Sequence, residues 1–200
     1  MTDAMQVAQR LGQSIWYDNI RRGHLTSGEL ARLIELGITG VTFNLGTFDR
    51  TIAGSADYDP ALLKLAQRGK TAGEALEALA VEDVGTAADL LRPVFDRTGG
   101  RDGYASLEVN PHLAHDSSGT VAEARRLFAL LDRPNVMVKV PATPEGITAI
   151  RRLIGEGINV NVTLVFSLDT YQQVQKAYIA GLEDLDRNGG DTSRVASVAS

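Results

Sequence analysis

The sequence predicts an α/β fold, a (β/α)8 TIM barrel with only about the first six βα units present. Three observations lead there. A strand-helix unit recurs six times along the chain. Each strand has one apolar face and a second face that carries polar groups near its C-terminal end. No sequence repeat or low-complexity segment interrupts this order.

Ser14-Ile15-Trp16-Tyr17-Asp18 is the first strand, rich in aromatic and branched residues and closing on an acid. Thr26-Ser27-Gly28-Glu29 has capping-box spacing, and Leu30, Leu33, Ile34 and Ile38 follow at helical intervals around Gly37. The second strand covers 40–44. From about 45 to 98 the pattern is helical, with Asp59-Pro60 and Thr71-Ala72-Gly73-Glu74 as helix starts. A glycine-rich turn at 99–103 precedes the third strand at 104–109. Thr120 to Glu123 caps a helix that runs to Leu131. The fourth strand lies in Asn135-Val136-Met137-Val138-Lys139-Val140-Pro141-Ala142-Thr143, and Thr143-Pro144 supplies a cap and a first-turn proline for the helix behind it. The fifth strand covers 158–163, Ser167-Leu168-Asp169 starts the next helix, and Asn188-Gly189-Gly190 stops it. The sixth strand covers 195–200.

Parity selects the barrel over a doubly wound sheet. In strand four Val136, Val138 and Val140 share one face, while Met137 and Lys139 share the other. Asn159, Asn161 and Thr163 share a face in strand five, Ser14, Trp16 and Asp18 in strand one, and Ser106 and Glu108 in strand three. A barrel gathers such faces into one interior with its mouth at the strands' C-terminal ends, whereas a doubly wound sheet buries both faces under helices. An eight-stranded barrel usually takes about 250 residues. Residues 1–200 are therefore expected to form one partial barrel domain that lacks the last two units, leaves its first and sixth strands unpaired, and is inactive alone.

Composition narrows the function. With 44% hydrophobic and 22% charged residues the chain is an ordinary globular one, and a net charge of −5 gives no electrostatic footprint for nucleic acid. Cysteine is absent, which removes disulfides, thiolate metal sites and cysteine nucleophiles. No apolar run reaches the length of a membrane span, and residues 1–13 lack a signal-like apolar core. A cytoplasmic protein with no membrane or nucleic-acid partner is expected.

Lys139 stands out, because an unpaired ammonium is among the costliest groups to bury in a β-branched strand. A salt bridge or a snorkelling stem would explain it, although no carboxylate is near in sequence. So would chemistry, since desolvation favours a neutral, nucleophilic amine. Asp18, Asn44, Glu108, Lys139, Asn161, Thr163 and Ser200 all fall at the C-terminal ends of strands. Taken singly they have ordinary readings: a turn at Asp18, a rim carboxylate at Glu108, mutually satisfied polar residues at Asn161 and Thr163. Taken together they suit covalent carbonyl chemistry without a cofactor. A lysine iminium draws electrons from a breaking carbon-carbon bond, one acid/base handles the departing hydroxyl proton, and another handles water in imine formation. Asp18 and Glu108 supply these two roles, Thr163 can hold a water, and Asn44 and Asn161 can bind hydroxyls.

Four stretches carry a resemblance: Trp16-Tyr17-Asp18-Asn19, Ser106-Leu107-Glu108-Val109, Val138-Lys139-Val140-Pro141-Ala142-Thr143 and the segment from Gly157-Ile158-Asn159 through Asn161-Val162-Thr163 to Phe166-Ser167. Together they resemble the transaldolase family, most strongly its long form, found alone or fused to a glucose-6-phosphate isomerase domain. The resemblance covers nearly the whole chain in order. It implies transfer of a dihydroxyacetone unit, with sedoheptulose 7-phosphate and glyceraldehyde 3-phosphate giving erythrose 4-phosphate and fructose 6-phosphate, in the pentose phosphate pathway. It implies Lys139 as the Schiff-base lysine, Asp18 as the acid/base for bond cleavage, and Glu108 with Thr163 as the holders of a catalytic water. Asn44, Asn161 and Ser200 match substrate-binding positions. No metal or cofactor is implied, the partners are sugar phosphates, and oligomeric state is left open.

The sequence departs from the family at two places. Thr42-Phe43-Asn44-Leu45-Gly46 keeps the asparagine of the family's threonine-serine-asparagine-proline but loses the proline. The family's phosphate-binding arginine follows strand six and falls beyond Ser200. A simple lysine-dependent aldolase and a non-catalytic barrel fragment are the alternatives. Glu108 favours transfer, because the related fructose 6-phosphate aldolases carry glutamine at the matching position. His112-Leu113-Ala114-His115 has a metal-compatible spacing but follows Pro111 in a loop, and Arg125-Arg126 and Arg151-Arg152 read as solvated helix faces.

Overall fold

The computed structural model describes residues 2–18 and 20–200, with the side chains of all of these but 2, 3, 45 and 47. Asn19, the end of the Trp16 motif, lies outside the described residues. The chain forms two compact units, Met1–Leu107 and Glu108–Ser200. Among the described residues no helix is long and apolar enough to cross a membrane.

The first unit opens on helix α1 (Thr2–Arg10), followed by strand β1 (Trp16–Asp18), the short helix α2 (Arg22–Thr26), α3 (Glu29–Leu36) and β2 (Gly40–Phe43). After β2 come α4 (Leu45–Ala53), a 3-10 turn (Ala56–Tyr58), α5 (Asp59–Gln67), the long α6 (Ala72–Thr98) and β3 (Tyr104–Glu108). The strands pair in parallel and in chain order, with Asp18 opposite Thr42 and Thr42 opposite Ser106. A Cβ on Gly40 would lie 2.3 Å from the Trp16 ring, so glycine is what lets β1 and β2 close up there. Ser14 and the Trp16 indole, which share parity with Asp18, both donate to Asp102, at 2.6 and 3.3 Å. Only Asp18 of that face is left at the C-terminal end.

Two helix starts of this unit differ from expectation. Thr26 does not cap α3. It closes α2, its hydroxyl donating to the Arg22 carbonyl at 3.1 Å, and α3 begins from Gly28 at φ +80 with no side-chain cap bond. A left-handed glycine turns the chain there, so the Thr-x-x-Glu spacing has no geometry in which to act. Helix α1 was not foreseen either, since its residues are mostly polar; its Gln9 amide donates to the Gly37 carbonyl at the end of α3. The Thr71 box forms as expected, with Thr71 Oγ1 accepting from the Glu74 amide and Glu74 accepting from the Thr71 amide at 2.9 Å. That amide hydrogen bond, with Lys70 alongside, holds the Glu74 carboxyl down at about 2.

A buried ionic cluster joins three elements of this unit. Asp83, 2% exposed on α6, accepts from the Tyr58 hydroxyl at 2.9 Å and from Arg22 Nε at 2.8 Å, while the Arg22 amide donates to the Tyr58 oxygen at 2.9 Å. Burial pushes the Asp83 carboxyl up despite Arg22 beside it, and burial likewise pushes up the Tyr58 hydroxyl. Phe48 stands edge-on to both Phe43 and Tyr58, tying α4 to the end of β2.

The second unit continues from the end of β3 with a 3-10 turn (Pro111–Leu113), α7 (Ser117–Leu131), β4 (Val136–Pro141), α8 (Pro144–Gly155), β5 (Val160–Thr163), α9 (Leu168–Arg187) and β6 (Ser197–Ala199). These strands too are parallel, with Lys139 opposite Asn161 and Val162 opposite Ala199. Every residue of β4 and β5 is buried. Helix α7 starts before Thr120: Asp116 is its cap and accepts from the Gly119 amide at 2.9 Å, whereas Thr120 sits inside and donates to the Leu113 carbonyl. Thr143 caps α8 as expected, accepting from the Gly146 amide at 3.0 Å. A Cβ on Gly146 would meet the Pro141 carbonyl oxygen at 1.9 Å, so α8 rises directly off the end of β4. Gly146→Ala is expected to destabilise the protein by about 2–3 kcal/mol or more, read as a lower denaturant midpoint.

The arginine pairs on α7 and α8 are exposed, but they are not merely solvated. Arg125 bonds Glu156, and Arg151 reaches Asp184 of α9 at 2.8 Å. Hydrogen bonds from Arg125 hold the Glu156 carboxyl below its usual range, and those from Arg151 and Arg187 do the same for Asp184. A depressed folded pKa means that this stabilisation is complete above the unfolded carboxylate pKa near ~4 and is lost as pH falls through the folded value. The melting temperature should therefore drop on acidification below about pH 4, and Arg151→Gln should make that drop shallower.

Candidate active site

The second unit assembles most of the expected residues around β4. Lys139 is 7% exposed in the middle of an otherwise apolar strand. Its register partner, Asn161, is fully buried and accepts from the Ser200 hydroxyl at 2.9 Å. Ser200 is fixed in turn by its own amide, which donates to the Val162 carbonyl at 2.8 Å. The Val109 amide donates to the Lys139 carbonyl at 3.1 Å, a bond that in a parallel ladder sets Glu108 beside Lys139. Thr163 is buried at the end of β5, opposite Pro141. Lys139, Glu108, Asn161, Thr163 and Ser200 thus stand on neighbouring backbones of one unit.

Asn159, on the same parity as Asn161, is not part of this group. Its amide donates to the Val136 carbonyl at 3.1 Å and accepts from the Ala196 amide at 2.9 Å, which ties β4 to the approach of β6. The residue after Thr163 takes a strained conformation: Leu164 has φ +63, a region that L-residues rarely adopt. That turn ends the strand immediately after the threonine.

Asp18 and Asn44 lie in the first unit, at the ends of β1 and β2. Asp18 accepts from the Thr42 hydroxyl at 2.8 Å, so a cross-strand partner holds one carboxylate oxygen. Asn44 is the cap of α4, its side-chain oxygen accepting from the Gly46 amide at 2.9 Å. The loop that lacks the family's proline is therefore ordered as a helix start, with the asparagine oxygen engaged. Thr42 was missed by sequence reasoning; its parity with Asn44 and its register with Asp18 are the signals that point to it. A cleft of 410 Å3 opens beside Asp18, lined by Tyr17, Arg21, His24, Arg50 and Ser55 among others.

The histidine pair does not form a ligand set. His112 sits in the 3-10 turn, and His115 Nδ1 lies 3.3 Å from Glu145 on α8. In the first unit a second recess, of 460 Å3 and lined by Gln9, Thr39, Arg97 and Arg101, lies away from the strands' C-terminal ends.

Comparison with known proteins bears on this arrangement. A family model described as transaldolase/fructose-6-phosphate aldolase matches residues 15–200. The chain is 49% identical to transaldolase 2 of Streptomyces avermitilis across its whole length, which is 54% of that relative. It is 49% identical to transaldolase 1 of Streptomyces coelicolor over 98% of this chain and 52% of the relative. It is also 50% identical to the transaldolase of Thiobacillus denitrificans over 96% of this chain and 54% of the relative. The chain spans about half the length of the curated relatives it matches.

Proposed function

Because the chain belongs to the transaldolase/fructose-6-phosphate aldolase family, whose partial TIM barrel its six parallel strands and intervening helices represent, we propose that the natural protein containing it is a transaldolase. The observation that carries this is Lys139: a buried amine in an apolar strand, with Glu108 and Asn161 in register on either side. The substrates are sugar phosphates, and the reaction moves a dihydroxyacetone unit from a ketose phosphate to an aldose phosphate. We take residues 1–200 as one partial barrel domain, in keeping with a family match unbroken over 15–200, and the protein as cytoplasmic.

In this reading the Lys139 amine adds to the ketose C2 carbonyl, and loss of water gives an iminium. Glu108 gives and takes the protons of that dehydration through a water held with Thr163. Asp18 accepts the proton of the C4 hydroxyl while the C3–C4 bond breaks, and the bonding pair flows into the iminium to leave an enamine on Lys139. The aldose departs, a second aldose accepts the enamine carbon, and the steps reverse. Asn161 and Ser200 face the hydroxyls of the dihydroxyacetone portion. Asn44 offers its amide group, since its oxygen caps α4.

The test is a transfer assay with fructose 6-phosphate as donor and erythrose 4-phosphate as acceptor. Formation of sedoheptulose 7-phosphate, with no free dihydroxyacetone, is expected. Release of free dihydroxyacetone would instead make the protein a simple aldolase, and absence of both products would contradict the proposal.

A further inference from the structure

We propose that Tyr58 is a positioning residue for Asp18: its hydroxyl ties together the two walls of the cleft beside Asp18 and so fixes where that carboxylate stands when the carbon-carbon bond breaks. This rests on the aldol reading above and deepens it. One wall of the cleft carries Arg21, just before α2, and His24 within it; the other carries Thr51 of α4 and Ser55 just after it. Arg22 follows Arg21 directly, and Tyr58 lies three residues beyond Ser55. A bond between Tyr58 and Arg22 therefore joins the two walls, and all of these residues belong to the first unit.

Helix α2 does not hold its own place. It has five residues and no side-chain cap, and helices so short are unstable by themselves. Arg22 is its first residue, so the Arg22 amide has no acceptor within the helix. The Tyr58 oxygen accepts from that amide at 2.9 Å, and the Tyr58 hydroxyl donates in turn to Asp83 at 2.9 Å. Burial pushes the hydroxyl pKa up, so the group stays protonated and keeps donating. The Arg22 guanidinium lies over the buried Tyr58 ring, 4.9 Å from its centroid, and reaches Asp83 as well. Both the backbone and the side chain of Arg22 are thus fixed from outside α2, four residues past Asp18. The Thr42 hydroxyl holds one Asp18 oxygen from β2, and the Tyr58 tie sets the chain on the other side. That precision matters for a proton acceptor, since a misplacement of about 1 Å can cost about 100-fold in rate.

The test compares Tyr58→Phe with Tyr104→Phe in the natural protein. Each deletes one hydroxyl and keeps a buried ring, but Tyr104 donates to the Gly100 carbonyl at 2.6 Å, at the opposite end of the strands from Asp18. The Tyr58→Phe ring keeps its edge-on packing against Phe48, so the variant is expected to fold, and circular dichroism sets an assay temperature at which both variants are native. With fructose 6-phosphate and erythrose 4-phosphate, Tyr58→Phe should lower kcat for transfer about 10-fold or more while KM changes little. Tyr104→Phe should leave kcat unchanged. Borohydride trapping of unphosphorylated dihydroxyacetone on Lys139 should be the same in the parent and both variants, because it breaks no carbon-carbon bond and so does not call on Asp18. An unchanged kcat in Tyr58→Phe would overturn the proposal. So would an equal fall in Tyr104→Phe or a parallel loss of trapping, each of which marks a general loosening of the fold. Failure of the aldol reading is seen separately, in the parent protein, as absence of the dihydroxyacetone adduct on Lys139.

Discussion

Lys139→Met in the natural protein is expected to abolish covalent trapping of a ketose at this site and to lower transfer by about 10^4-fold or more, since the catalytic iminium forms on the Lys139 amine. The same substitution should leave stability unchanged or raise it, because it exchanges a buried amine for an apolar side chain of similar length within β4, all of whose residues are buried. A lysine kept for structure behaves in the opposite way. Were Lys139 a salt-bridging or snorkelling residue, Lys139→Met would lower stability and spare the chemistry. Thermal unfolding and transfer measured on the same sample separate the two.

Asp83→Ala is the change with the largest expected effect on folding. It removes the acceptor shared by Arg22 and Tyr58, leaving the buried hydroxyl without that acceptor and Arg22 with the exposed Glu82 as its remaining carboxylate partner. Breaking one partner of a buried pair costs about 3–5 kcal/mol. Asp83→Asn should lose less, since an amide oxygen still accepts from Tyr58 and Arg22 keeps the exposed Glu82 as a carboxylate partner. Because burial holds the folded Asp83 pKa above its unfolded value, this carboxylate's contribution is full below the unfolded pKa and declines as pH rises through the raised one. That sign is opposite to Glu156 and Asp184, so acid weakens the helix ties of the second unit but not this cluster. Equilibrium denaturation at several pH values measures both trends.

Features fixed by neighbours in sequence were legible from the start. Thr71, Thr143 and Ser167 cap their helices because a cap needs only the next three residues. Lys139 was legible for a related reason: a charge inside a β-branched run is anomalous wherever the strand lies. What depends on distant partners was not legible. Helix α1 is held by an amide reaching Gly37, and Asp83 is matched by Arg22, 61 residues away. Asp116 caps α7 because the turn at Pro111–Leu113 positions it, so the equally plausible Thr120 falls inside the helix. At the candidate site the polar ends of the strands were read correctly as positions, but parity alone did not separate Asn161, beside Lys139, from Asn159, which ties strands together. Thr42 became visible only when register set it against Asp18. The cleft beside Asp18 brings together His24 of α2 and Arg50 of α4, which no local pattern links.

The most direct test is borohydride reduction of the natural protein with fructose 6-phosphate, followed by mass mapping of its peptides. The other lysines of this chain, Lys64, Lys70 and Lys176, are all exposed, so site and background are readily told apart. A reduced dihydroxyacetone adduct on the peptide that carries Lys139, absent from Lys139→Met, is the expected result. No adduct, or an adduct confined to the exposed lysines, would contradict Schiff-base catalysis at Lys139.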